Sequence, residues 1–358
     1  MAFTIPALFL NAVLLVDAAA SSYPTSSWTL QEANKPATVV VSSLEGPIDG
    51  PKFDYINSTV YQWWYFDVVS SDLESCLTVQ FNIGSELALG FGNASEILPY
   101  VAINGKFPNG TLFDMASVPA TNITIQTIGQ GSSGVWEGTG CSWEGTPDLS
   151  EYVLTLNAPE QGIQGSVYLK SISPAQYPFN LLSQQLYNVS ESVLPGFYWA
   201  NSIPGALGGV DLTIRGDRLL FDGSGYHDSN WGTIGLPKVA GSWYWGHAQV
   251  GDLTIVFSTV EGRTQTVSSI YIGNDPTLII IGNVTVTPVT GSNYPNGTLN
   301  IALDAAFDGK YEFLIVPTDI VYSTPAPKYT RWIGIIEGGL VGGESQKGVV
   351  LWEYFYFG

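Results

Sequence analysis

Chemistry-bearing side chains are densest in one run, Gly225-Tyr226-His227-Asp228-Ser229-Asn230-Trp231-Gly232. It brings an imidazole, a carboxylate, an amide and two aromatic rings together, with glycines at both ends that permit a tight backbone path. The chain has only 2 histidines, and the second, His247, closes a related run, Trp243-Tyr244-Trp245-Gly246-His247. A carboxylic acid or imidazole held beside a reacting oxygen can supply a proton and take it back. On an apolar β scaffold such groups are either fully hydrogen-bonded struts or a site; for His227, Asp228 and His247 both readings stand. With 2 cysteines and 2 histidines the chain cannot close a structural zinc site on those ligands alone, and no metal spacing occurs. P-loop, GxSxG and HExxH runs are also missing, so the common phosphate-loop and hydrolase chemistries have no foothold. The expectation is a site with neither metal nor cofactor.

The elements that must position these groups read as strands. From Thr38 onward, runs such as Gln62–Val69, Cys76–Ile83, Thr121–Ile128, Leu253–Val260, Thr266–Ile272 and Gly348–Phe357 are strand-length and rich in Val, Ile, Thr and aromatics. Turn pairs such as Asn104-Gly105, Asn109-Gly110, Asp222-Gly223 and Asp308-Gly309 separate them. So many short strands fit closed antiparallel barrels, because closure removes exposed edges. Helical character is confined to Phe179–Val193, followed by a loop-like Pro195–Gly209, and the domain boundary is placed there: 21–207 and 208–358. Trp63-Trp64-Tyr65 and Trp243-Tyr244-Trp245 echo each other across it. Alternation puts Trp63 and Tyr65 on one face of their strand, and Gln80 and Asn82 on one face of the next. Trp199, Tyr226, Trp231, Trp245 and Trp352 are candidate walls of a pocket. His247, Asp228, Lys328, Arg331 and Glu353 are the candidate proton donors or acids.

Gln62–Asp67, Gly225–Gly232, Trp243–His247 and Trp352-Glu353-Tyr354, in that order, resemble the fungal lipocalin-like Diels–Alderases, within the wider carotenoid 1,2-hydratase (hydroxyneurosporene synthase) group. The resemblance runs from about residue 38 to the C-terminus. It implies an all-β fold of two lipocalin-like antiparallel barrels with at most one or two short helices. It also implies a cofactor-free pericyclase acting on terpenoid and polyketide-derived molecules between the barrels. The branch that carries a signal sequence and sequons joins a tropolone o-quinone methide to a humulene-type sesquiterpene by a hetero-Diels–Alder reaction, and that is the reaction expected here. An intramolecular decalin-forming cycloaddition, an isoprenoid hydration or dehydration with Asp228 as donor, and a non-catalytic carrier are the alternatives. Ser229 stands where the bacterial-type relatives have a His.

Charge narrows the partners. With 12 basic against 31 acidic residues, a net charge of −19, the chain lacks the basic patch that a phosphate backbone requires, so nucleic acid is not expected as a partner. An apolar run from Ile5 to Val16 leads to Ala18-Ala19-Ala20, which reads as a signal peptide over residues 1–20, too short to anchor stably in a bilayer. Sequons at Asn57, Asn93, Asn109, Asn122, Asn188, Asn283 and Asn296 point to the same secretory route. In that oxidising lumen Cys76 and Cys141 are either a disulfide or two buried thiols. Expression in a eukaryotic host should yield a chain that begins after Ala20 and loses mass on endoglycosidase treatment. An intact, unshifted mass starting at Met1 would reject the secretory assignment.

Overall fold

All ten residues of the Tyr61–Ser70 strand are buried. Trp64, Phe66 and Val68 pack into one core with Phe81, Trp136 and Trp143. On the opposite face Trp63 and Tyr65 pack into a second core with Trp243, Trp245 and Phe355. A strand covered on both faces is largely apolar and pairs the few polar groups it holds, which is why the sequence here reads WWYF without alternation.

The computed structural model describes residues 23–42, 45–178, 180–181, 190–274, 278–282, 284–289, 297–305, 309–325 and 328–358. Their strands form two antiparallel sheets of barrel and half-barrel shape, with two short helices, Glu86–Leu89 and Leu236–Val239. The fold is therefore the expected all-β pair of barrels. In the first sheet the central order is Ile163–Ser171, Phe197–Ile214, Asp217–Gly232, Tyr61–Ser70, Cys76–Ile83 and Tyr100–Lys106. In the second it is Leu253–Gly262, Ala240–Val250, Gln346–Tyr356, Lys328–Leu340 and Lys310–Pro325. Val250, Ile255, Phe257, Ile301, Phe313, Trp332 and Trp352 fill the second barrel. Among the described residues no helix is long and apolar enough to cross a membrane.

Two expectations need correction. Pro195–Gly209 is not a loop: Phe197–Ile214 is one 18-residue strand. Its Pro204 and Gly205 sit where the pairing with Asp217–Gly232 slips, between Asn201 and Ile203 and again between Ile203 and Ala206. These bulges absorb residues that would otherwise break a ladder. Gly208 belongs there for lack of space, since a Cβ would come within 2.8 Å of Val68. The chain consequently passes between sheets through residues 233–239, and residues 208–232 lie in the first sheet. The boundary expected at 207/208 falls inside a strand. The helical run expected at Phe179–Val193 lies largely outside the described residues, and its end, Ser192–Leu194, is a short strand.

Cys76 and Cys141 are free and buried. They sit in different cores, Cys76 between the sheets and Cys141 inside the first barrel, so the disulfide alternative is set aside. Burial pushes their thiols up to about 12 and about 11 respectively, far from the thiolate range that reacts. Iodoacetamide should leave the native protein unmodified and add two alkyl groups after guanidinium treatment without reductant, as read by intact mass. A pair that alkylates only after reduction would restore the disulfide.

Candidate functional site

Strands of both sheets face each other across the gap between the barrels, and period-two alternation decides what each contributes. From Asp217–Gly232, Tyr226, Asp228 and Asn230 face the gap, while His227, Ser229 and Trp231 face the first barrel. Trp243, Trp245 and His247 of Ala240–Val250 come from the other side, with Glu353 and Phe355 of Gln346–Tyr356 and Tyr329 and Arg331 of Lys328–Leu340 beside them.

Trp63, Tyr65, Gln80, Asp228, Asn230, Trp243, Trp245, Glu353 and Phe355 enclose a narrow cavity of about 20 Å³, room for about one water-sized group. Gln80 also lines a neighbouring cavity of about 490 Å³, together with Tyr100, Asn104, Asp114, Tyr322, Tyr329 and Arg331. That volume is in the range that holds a drug-sized molecule. A separate groove of about 660 Å³ lies away from these residues, against Tyr168, Leu207 and Lys347.

Among the polar atoms on residues of the narrow cavity, Tyr65 Oη, Asp228 Oδ1 and Asn230 Nδ2 have no hydrogen-bond partner among the described residues. Buried polar atoms normally find partners, so their convergence on one cavity marks it as a place built for a polar guest. The other oxygen of Asp228 is held twice, by Trp199 Nε1 at 2.7 Å and by the Tyr226 hydroxyl at 2.7 Å. Burial pushes Asp228 up to about 7, against the pull of those two hydrogen bonds and of nearby His227. Near neutrality this carboxyl can both give and accept a proton. Tyr65 is driven well above the usual phenol range, by burial first and then by Asp67, and stays a hydroxyl donor.

The charged groups Asp67, His247 and Arg331 are matched across the gap. His247 Nε2 lies 2.8 and 3.0 Å from the carboxylate oxygens of Asp67, joining the two sheets. Its ring stacks on Tyr226, centroids 4.8 Å apart. Arg331 Nε donates to Glu353 at 2.6 Å, and its Nη1 donates to Thr78 Oγ1 at 2.6 Å and to Asn104 Oδ1. The guanidinium lies near the rings of Tyr65, Tyr322 and Tyr329. At the edge Lys106 meets Asp319 at 2.7 Å.

The structure thus sorts the candidate residues. Trp63, Tyr65, Gln80, Asp228, Trp245 and Glu353 line the narrow cavity, and Arg331 lines the larger one. Trp199 and Tyr226 stand behind Asp228. Asn82 is buried, paired across the strands with Trp63, its amide turned to the Gln80 carbonyl. His247 is a cross-sheet strut. Trp231 faces the first barrel core, where Lys52 lies over its ring, and so is not a wall. Trp352 stacks on Trp332 inside the second barrel, in space that Gly246 leaves open, since a Cβ there would lie 2.6 Å from Trp352 Cβ. His227 is also a strut: its Nδ1 meets the Tyr65 carbonyl and its Nε2 lies 3.0 Å from buried Asp49. The Lys328 side chain lies outside the described residues. Asn230, Trp243 and Phe355 were missed, although each is two residues from a named candidate and the same alternation finds them. Of the sequons, Asn93 and Asn109 are exposed, Asn57 and Asn122 half-buried, and Asn188, Asn283 and Asn296 fall outside the described residues.

Comparison with known proteins follows the same outline. Residues 25–294 match the family model described as Diels-Alderase-like. A quinolone epoxide rearrangement protein of Emericella nidulans is 31% identical, over 97% of this chain and 98% of its own length. A Diels-Alderase of Chaetomium globosum is 30% identical, but over 57% of this chain and 47% of that protein. The crystal structure of CghA with Sch210972 superposes with a TM-score of 0.77 at 20% identity, covering 92% of this chain and 98% of that one, a likeness of fold.

Replacing His247 with Ala should lower stability by about 3–5 kcal/mol, because it strands the buried Asp67 carboxylate. Asp319→Ala, at the half-exposed pair, should cost under about 1 kcal/mol. Urea melts of the two variants compare them directly, and equal losses would contradict the assignment of His247 as the strut.

Proposed function

The chain belongs to the Diels-Alderase-like family, and from that premise we propose that it is an isomerase of secondary metabolism that rearranges a quinolone epoxide or a close aryl epoxide by general-acid catalysis between its barrels. The observation that carries this reading is Asp228: one oxygen anchored, the other unpartnered on an aromatic-walled cavity, and a proton affinity set near neutrality by burial. The similarity to a quinolone epoxide rearrangement protein over nearly the whole of both chains supports it.

The body of the substrate would occupy the larger cavity, with the epoxide oxygen reaching past Gln80 to the narrow one. Asp228 would pass its proton to that oxygen as one C–O bond breaks, the bonding pair staying on oxygen. The carbon left electron-deficient would face the rings of Trp63, Trp243 and Trp245, whose faces stabilise positive charge. Migration of a neighbouring group, followed by return of a proton to the Asp228 carboxylate, would close the cycle with atoms and electrons balanced and no co-reactant. Tyr65 and Asn230 supply further donors for oxygen.

A second reading keeps the pericyclic chemistry of the family, supported by the family match and the Diels-Alderase relatives. Its sharpest form is the hetero-Diels–Alder union of a tropolone o-quinone methide with a humulene-type sesquiterpene. The same walls would hold diene and dienophile in register, a service that can contribute several kcal/mol. Here Asp228 or Tyr65 need only hydrogen-bond a carbonyl.

Purified protein incubated with a quinolone epoxide, and separately with the quinone methide and humulene-type pair, distinguishes the two by product analysis. For the rearrangement, Asp228→Asn should lower kcat by about 100-fold or more, and wild-type kcat should fall as pH rises through about 7, where the acid loses its proton. Turnover of the epoxide that survives Asp228→Asn unchanged would remove the acid mechanism. The same substitution should help the fold: Asp228 binds its proton more tightly in the folded protein (about 7) than in the unfolded chain, where the ordinary carboxyl value is 3.8, so wild-type stability declines as pH rises across that interval. Asn does not titrate, and the melting temperature of the variant should therefore exceed that of wild type increasingly between those pH values.

A further inference from the structure

The two oxygens of Asp228 have unlike surroundings. Oδ2 meets the Trp199 indole, which can only donate, and the Tyr226 hydroxyl. Oδ1 has no partner among the described residues. The three side chains are placed by register: Asn201 pairs with Asp228 across adjacent strands, Trp199 lies two residues before Asn201, and Tyr226 two before Asp228. All therefore share one face. Tyr226 also contacts Asn201 Oδ1, yet a phenol has one proton for two acceptors. Turning the Asn201 amide to present Nδ2, which otherwise lacks a partner, lets Asn201 donate to Tyr226 and Tyr226 donate to Asp228. The result is a directed chain, Asn201 to Tyr226 to Asp228 Oδ2, with Trp199 donating from the other side.

We propose that Trp199 and Tyr226 are positioning residues that occupy Oδ2 and so confine the exchangeable proton of Asp228 to Oδ1, on the cavity side. A proton on Oδ2 would confront the indole N–H and turn the phenol away, so the neutral acid has one favoured form. Once the proton leaves Oδ1, both donors remain to stabilise the carboxylate, which keeps the group able to cycle in a setting where burial alone would hold it protonated. The other titratable groups around Asp228 are His227 on its own strand, Tyr65 on Tyr61–Ser70 and Glu353 on Gln346–Tyr356. None of them donates to Oδ2 in the hydrogen bonds described.

The assignment deepens the acid role given to Asp228 above and rests on it for its purpose, but its test needs no substrate. Infrared difference spectra of the ligand-free protein, with Asp228→Asn as the blank, follow the carboxylic acid C=O band of Asp228 as pH is raised. Trp199→Phe and Tyr226→Phe each delete a donor to the charged form and should each raise the midpoint by about one pH unit. Tyr226→Phe removes a single oxygen, so it carries the test if the indole variant fails to fold by circular dichroism. With the epoxide, the same variants should move the kcat–pH profile upward in parallel and leave KM within about twofold. Midpoints that stay put or fall overturn the positioning role, even if turnover still depends on Asp228. Midpoints that rise in a protein that turns over no epoxide establish it while removing the proposed reaction.

Discussion

A β-strand covered on both faces has no solvent side on which to place its polar residues. Tyr61–Ser70 is such a strand along its full length, and Ala240–Val250 and the second half of Asp217–Gly232 nearly so. In each, one parity of residues fills a barrel and the other fills the gap between barrels. A one-residue slip in pairing would exchange the two sets and destroy both cores at once. This double duty fixes the register of the central strands, and through it the position of every side chain in the gap. It also explains why the barrels cannot be treated as independent: Trp63, Tyr65, Trp243, Trp245, Phe197 and Phe355 form one continuous core drawn from both sheets.

Polar groups on such faces are costly unless paired, and the pairing runs across the gap. Asp67 and His247 come from different sheets, as do Arg331 and its partners Thr78 and Asn104. Each contact loses its meaning if one barrel is shifted against the other, so the network specifies orientation even where its net contribution to stability is small. Asp228, Tyr65 and Asn230 are among the exceptions, and they are neighbours. The scaffold pairs the charged side chains Asp67, His247, Arg331 and Glu353 and leaves polar atoms of these three residues unpartnered around one cavity, which is the pattern expected where complementarity is reserved for a guest.

Composition and turn spacing made the fold class legible, because barrels need little more than alternating strands and tight turns. The gap-facing set was half legible. Period two identified Trp63 with Tyr65 and could have been extended from Asp228 to Asn230 and from Trp245 to Trp243. What no local pattern could tell was which parity looks outward from which barrel. Hence Trp231 and Trp352 were assigned to the site on chemical grounds, although each lies one residue from a gap-facing neighbour and points the other way. The same uncertainty left His227 and Asp228 indistinguishable in the sequence, where adjacency suggested shared work. In the structure adjacency is what separates them: His227 joins Asp49 in the first barrel core, and Asp228 faces the cavity. Pro204 and Gly205 misled for a different reason, since bulges that accommodate them depend on a partner strand distant in sequence.

Cycloaddition and epoxide rearrangement make two common demands, an apolar enclosure that fixes reacting atoms and a donor at an oxygen that gains electron density. They differ in how much charge that oxygen must carry. In a cycloaddition the carbonyl is polarised and relaxes again, so any well-placed hydroxyl or amide serves, and confinement does most of the work. In an epoxide opening, a C–O bond breaks fully, and an oxygen left anionic in an apolar cavity would be prohibitively unstable without a proton. A donor that is too strong an acid would be ionised at rest, and one as weak as a buried phenol would not release its proton. Among the groups around the narrow cavity, Asp228 has an affinity between those limits, and its surroundings are arranged to keep it there: burial raises it, while Trp199 and Tyr226 hold it back. Confinement alone gives no reason to maintain that balance. If the balance is functional, selection acts on the residues behind the acid as well as on the walls in front of it. A scaffold of this kind could then pass from one reaction class to the other by changing the proton affinity of a single carboxyl while leaving the barrels untouched.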